Sequence, residues 1–274
     1  MSESTTTGHQ DAAEQEARDT GSIMNFMAAR RIGTAMWVMR WYCIFLSIQY
    51  MFFCSAFDMG QYFQRAMLAN GVVCALRLHQ RVPQFRFSRS HFAILLQEDS
   101  AHYLIYSLIF LTCHPITIAL MPVAMFALLH ACSFTRQMID MHGSNSYPFL
   151  RKMINHVAKN QSTLFRFVAL NEILALPTVV AMLVMGRASL FAPFLYYKFV
   201  HYRYLSHRNP YSRVIFYELR MTAEALSRNP NCPSILSTLL TKSIVFVSKL
   251  APPYAAQQHA QQNSQPPPQE PSQQ

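Results

Sequence analysis

Two polar ends enclose a chain whose middle is a succession of long apolar runs. Residues 1–22 are polar and acidic, and residues 254–274 are dominated by Gln and Pro. Neither stretch can bury enough apolar surface to offset the entropy of ordering, so both are expected to be disordered tails. The first apolar run, Trp41 to Phe57 (WYCIFLSIQYMFFCSAF), is extended upstream by Met36, Trp37 and Val38. Counted from Ala35 it is long enough to span a bilayer, with Arg40 snorkelling and Trp37 and Trp41 at headgroup depth. Gln61 to Leu78 (QYFQRAMLANGVVCALRL) has the length of a span but carries Arg65, Asn70 and Arg77. Those groups are costly at the bilayer centre, so this segment is either a span or a shallow amphipathic wedge.

From Ser100 to Thr135 there are thirty-six residues without Lys, Arg, Asp or Glu. As one helix they would run about 54 Å, against a hydrocarbon core of about 30 Å, so a hairpin is expected. Its break is predicted within His114 to Pro122 (HPITIALMP), where prolines remove N–H donors, and neither arm then reaches twenty residues. Phe167 to Leu205 repeats the pattern: FVALNEILALPTVVAMLVM, then Gly186 and Arg187, then ASLFAPFLYYKFV, two short arms divided by Gly and Pro. Tyr196, Tyr197, Tyr202 and Tyr204 of the second arm are placed as interface anchors.

Between the hairpins residues 136–166 are polar, with a turn at Gly143 to Ser146 and a helix beginning near Pro148. After Pro210 an amphipathic stretch (YSRVIFYELRMTAEALS) runs to Asn229 and Pro230. A second follows Pro233, with Leu236, Leu239, Leu240, Ser243, Val247 and Leu250 on one side and Thr238, Lys242 and Lys249 toward the other, a surface-bound helix rather than a span. The expectation is an all-α, multi-pass transmembrane protein with helical hairpins and a C-terminal amphipathic helix. Its regions are the acidic tail 1–22, a hairpin domain 23–205, a cytosolic basic amphipathic region 206–253 and the Gln/Pro-rich tail 254–274.

Composition agrees with this pattern. Of the 274 residues 51% are hydrophobic and 13% charged, too apolar for an ordinary soluble domain, and seven glycines are too few to punctuate a barrel or sandwich. The formal net charge of +10 is uneven: residues 20–217 hold eighteen Lys/Arg against five acids. Basic residues flanking apolar runs suit anionic headgroups better than nucleic acid. If six segments cross as three hairpins, Asp58 and Arg187 are the charges in the far-side turns, which satisfies the positive-inside rule with both tails cytosolic. A three-span alternative gives a weaker bias. Six cysteines without a C-x-x-C pair suit buried or cytosolic thiols, not a disulfide framework or zinc site.

Candidate chemistry changes little. Glu172 is the acid within a predicted span, with Arg40 or Arg203 as its partner, and a structural role at headgroup depth is the preferred reading. Together with Arg65, Asn70 and Arg77 it forms the intramembrane polar set that a channel, transporter or insertion factor would need as a hydrophilic path. His102, His114, His130, His201 and His207 lack the spacing of a helix-borne metal site, and Ser88, Ser90, His91, Glu98 and Asp99 lack a hydrolase order. The stretch KFVHYRYLSHRNPYSR suits a headgroup belt of Lys198, Arg203, Arg208 and Arg213 better than a base-stacking surface. The sequon at Asn160 should be silent in a cytosolic loop. No residue is assigned to catalysis, to a cofactor or to a metal.

The segments TAMWVMR (34–40), RAMLANGVVCALRLHQRVP (65–83), EDSAHYLIYSLIF (98–110), GSNS (143–146), NEI (171–173), RNPYSR (208–213) and ELR (218–220) strongly resemble the transmembrane protein 33, or pore membrane protein 33, family, and most of all its insect member. The resemblance covers roughly residues 24–253. It implies residence in the endoplasmic reticulum and nuclear envelope and partnership with reticulon-type tubule-shaping proteins. It further implies roles in tubular network organisation and nuclear pore distribution, which brings in nucleoporins, and a link to the unfolded protein response. By the same resemblance Ser234 through Leu250 corresponds to a membrane-binding C-terminal amphipathic helix of fungal relatives.

Overall fold

The computed structural model describes residues 23–53, 59–81, 98–141, 147–206, 210–229 and 233–250, and among these the regular structure is entirely helical. Both tails, the turn containing Asp58, the loop carrying Ser88, Ser90 and His91, the GSNS turn, His207 and Arg208 lie outside the described residues. The helices are α1 (Arg31–Ile48), continued by a π-helical turn at Gln49–Phe53, then α2 (Met59–Arg81), α3 (Asp99–Leu111) and α4 (Thr117–Asp140). There follow α5 (Pro148–Lys159), α6 (Gln161–Val184), α7 (Ala192–Leu205), α8 (Tyr211–Ser227) and α9 (Ser234–Leu250). The chain forms two compact units, one ending at Arg213 and one starting at Val214.

In the first unit six helices close into a ring. Helix α1 packs on α2, α2 on α3, α3 on α7, α7 on α6, α6 on α4, and α4 returns to α1. Helix α2 touches its neighbours along much of its length: Tyr50 and Phe63 rings lie 5.8 Å apart, Cys43 Sγ is 3.6 Å from the Ala66 carbonyl, Asn70 Nδ2 donates to Ser107 Oγ at 2.8 Å, and Arg81 meets Glu98 at 2.6 Å. It sits in the ring between α1 and α3. The outside of the ring is apolar and exposed, at Phe45, Leu68, Leu108, Leu174, Val180 and Phe194 among others, the surface a bilayer would cover. Its interior is aromatic: Tyr106 stands 4.7 Å from Phe110 and 5.0 Å from Phe199, and Phe110 stands 5.5 Å from Tyr196.

The hairpin arms differ from the sequence expectation of two short halves. Helices α4 and α6 have 24 residues each, while α3 has 13 and α7 has 14. At 1.5 Å per residue the long arms measure about 36 Å, enough to cross a hydrocarbon core of about 30 Å. Among the described residues these two are the helices long and apolar enough to cross a membrane by length and composition. They outrun their apolar stretches because polar residues continue the helix: α4 extends past Thr135 to Asp140, where Arg136 and Asp140 pair at 3.8 Å one turn apart, and α6 starts at Gln161.

Pro122 and Pro177 lie inside α4 and α6, while the first break, at 112–116, holds His114 and Pro115, the start of the expected window. The second falls at Gly186, whose φ of +70° is in the left-handed region open to glycine. There the Arg187 N–H reaches the Met182 carbonyl at 2.8 Å and the Gly186 N–H the Leu183 carbonyl at 3.0 Å, a Schellman closure. The two turns meet, since the His114 N–H donates to the Arg187 carbonyl at 3.1 Å. The hairpins therefore turn at one end and open at the other, where the ends of α2, α4 and α7 and the starts of α3 and α6 gather. Helix α5 joins them there: it packs on α4 and α6, and Arg151 pairs with Asp140 at 2.9 Å.

In the second unit, the Ser237 hydroxyl of α9 donates to the Ser227 carbonyl at the end of α8 at 2.9 Å. Ile235, Leu239 and Val245 are exposed on α9, as is Lys242. The side chains of Leu236, Val247, Lys249 and Leu250 lie outside what is described.

Candidate functional site

At the open end α3, α6 and α7 bury an ion-pair cluster. Helix α6 carries Glu172 on a buried face, and its side chain is 2% exposed. One carboxylate oxygen accepts from the Tyr103 hydroxyl, and the other accepts from Arg203 Nε at 3.2 Å. Arg203 Nη1 donates to Asp99 Oδ1 at 3.0 Å, and His102 Nδ1 is 3.9 Å from the same oxygen. The Arg203 guanidinium also sits over the Tyr103 ring, 5.3 Å from its centroid. Tyr196 adds a bond from its hydroxyl to the Glu172 carbonyl at 2.8 Å. Two acids, one cation and two phenols thus tie three helices together.

This placement corrects one sequence expectation. Arg203 is not displayed in a headgroup belt; it is 2% exposed, drawn inward by Glu172 and Asp99. It is also the partner of Glu172 that the sequence left open between Arg40 and Arg203. Of the remaining belt, Lys198 is exposed beside the Phe194 ring at 5.7 Å and Arg213 is half-buried, while Arg208 is not described.

The intramembrane polar set is gathered in part. Arg65 is exposed on α2 and donates to Gln61 at 3.2 Å, Asn70 is bonded to Ser107, and Arg77 Nη1 donates to His130 Nε2 at 2.8 Å. Asn70 and Arg77 line one cavity with Arg203, the partner of Glu172. Sequence reasoning missed Tyr103, and it weighed Asp99 only for hydrolysis and His130 only for metal binding. Asp99 and Arg203 lie 104 positions apart, and no local pattern announces such a pair. Among the described residues no group of three or more His, Cys, Asp or Glu is placed to hold a metal ion.

Comparison with known proteins places this helical ring. Residues 15–253 match the family described as Transmembrane protein 33/Nucleoporin POM33. The chain belongs to that family. Transmembrane protein 33 of Homo sapiens is 42% identical over 243 residues, covering 88% of this chain and 98% of the human protein. Krueppel homolog 2 of Drosophila melanogaster is 38% identical over 240 residues, covering 86% of each. The Caenorhabditis elegans homolog is 32% identical over 236 residues, covering 85% of this chain and 86% of its own length. No solved structure matches. As a member of the Transmembrane protein 33/POM33 family this is a membrane protein, and its apolar ring exterior and two long apolar helices are the features that suit it to a bilayer.

Proposed function

We propose that this protein is a non-enzymatic scaffold of the endoplasmic reticulum and nuclear envelope, with both tails cytosolic. It organises the tubular network and the membrane at nuclear pores through hairpin wedging and through reticulon-type partners and nucleoporins, and it modulates the unfolded protein response. The observation that carries the wedge is α5. This helix sits at the open end of the hairpins with Phe149, Leu150 and Met153 exposed and Ile154 buried, so it offers an amphipathic helix to the membrane surface at that end. Extra area in one leaflet bends a bilayer, and no catalytic group is needed for it. The exposed apolar residues of α9 support a second such contact.

Reconstitution into liposomes tests this reading. The intact chain should tubulate vesicles, and replacing Phe149, Leu150 and Met153 together by Ser should reduce tubulation by more than half while the helical signal and elution volume stay unchanged. Unchanged tubulation in that variant overturns α5 as the wedge. Ion flux through the liposomes that Glu172→Gln abolishes would replace the scaffold with the channel reading.

A further inference from the structure

The ring of helices is not filled at its open end. A cavity of about 760 Å³ lies there, with residues of all six ring helices and α5 in its wall. Ligand sites for small molecules measure roughly 300–1,000 Å³, so the space is of binding size. Five arginines line it, Arg40, Arg77, Arg81, Arg136 and Arg203, against two acids, Glu98 and Asp99. Three of the arginines are matched: Arg81 to Glu98, Arg136 to Asp140, and Arg203 to Glu172 and Asp99.

The other two face the cavity without an acid. Arg77 donates to His130, a partner that brings no negative charge, and Arg40 makes no ion pair or hydrogen bond among the described residues although it is only 8% exposed. Arg40 lies nine residues into α1, about 13 Å along the helix. A guanidinium so buried is costly unless an anion compensates it. Val73, Phe126 and Phe165 give the lining an apolar part.

We propose that this cavity binds an anionic phospholipid by its phosphate, which Arg40 and Arg77 grip while the glycerol and first acyl carbons lie against Phe126 and Phe165. The arginine fork matches phosphate oxygens two at a time, and the apolar lining inside a ring of membrane helices selects a lipid over a free ion. The site rests on the membrane character of the family, not on wedging, so a protein that fails to tubulate liposomes still binds.

The purified full-length chain in detergent tests it by thermal unfolding and by titration with short-chain phosphatidic acid, phosphatidylcholine of the same chain length, and inorganic phosphate. Phosphatidic acid should raise the melting temperature at concentrations where the other two do not. Equal effects of the two lipids overturn the site, and inorganic phosphate acting as well as phosphatidic acid overturns the lipid assignment. Both outcomes are read on the unaltered protein. Arg40→Gln with Arg77→Gln should weaken phosphatidic acid binding about tenfold or more, and Arg40→Lys, which keeps the charge and loses the fork, about threefold or more. Arg65→Gln, on the exposed face of α2, should leave it unchanged. Wild-type affinity in both Arg40→Lys and the double variant overturns the proposal.

Discussion

The Glu172 carboxylate shows how a single residue can be conspicuous in a sequence while its role stays hidden. An acid inside an apolar run calls for a cation, but Arg40 and Arg203 were equally available by chain order. Geometry decides, because α7 runs beside α6 and brings Arg203 Nε within 3.2 Å, whereas Arg40 points into the cavity. Removing one member of such a pair leaves a buried charge. Glu172→Ala should therefore cost about 3–5 kcal/mol, and Glu172→Gln with Arg203→Gln should recover part of the loss. Thermal unfolding in detergent measures both, and a double variant as unstable as the single one would count against the pair. Outside the ring, Glu224 is held below the usual carboxylate range first by its hydrogen bond from Arg220 and also by Arg228. A depressed carboxylate stabilises above its unfolded value and loses that contribution as pH falls through the folded one. The group is exposed, so the effect is small and screened by salt. A carboxyl titration by NMR should show Glu224 rising toward the ordinary value in Arg220→Gln.

Among the elements, the hairpin turns were legible in part. The breaks fall at 112–116, which holds Pro115, and at Gly186, where the Pro and Gly signals lie, yet the chain keeps Pro122 and Pro177 within helices. Proline removes one N–H, a loss that neighbouring helices in a bundle tolerate, whereas the left-handed backbone at residue 186 is open to glycine at no steric cost. Gly186→Ala should destabilise by about 1–2 kcal/mol because its Cβ is strained at that φ, although nothing lies within 4 Å of it. A change near zero in the melting temperature would show that the turn relaxes. Helix α9, by contrast, was legible from its spacing alone. Leu239→Asp with Leu240→Asp should release a Ser234–Leu250 peptide from liposomes, measured by flotation, because the charges fall on the apolar face.

For the whole molecule the prediction is topological. The open end carries Arg77, Arg81, Arg136 and α5 with Arg151, Lys152 and Lys159, while the described turn end carries Arg187. By the positive-inside rule the open end should face the cytosol. In sealed microsomes a membrane-impermeant maleimide should label Ser146→Cys and not Ser189→Cys on a cysteine-free background; the reverse pattern would invert the protein. By itself the amino-acid sequence determined that the chain is helical, apolar enough for a membrane, paired into hairpins and a member of its family, because these follow from composition, local periodicity and shared motifs. The closing of six helices into a ring, the choice of Arg203 for Glu172, the joining of Asp99 to it across 104 positions, and the basic cavity beside them were decided only by tertiary structure. Those features depend on which helix faces lie against one another, and helical periodicity names an apolar face without naming the neighbour it meets.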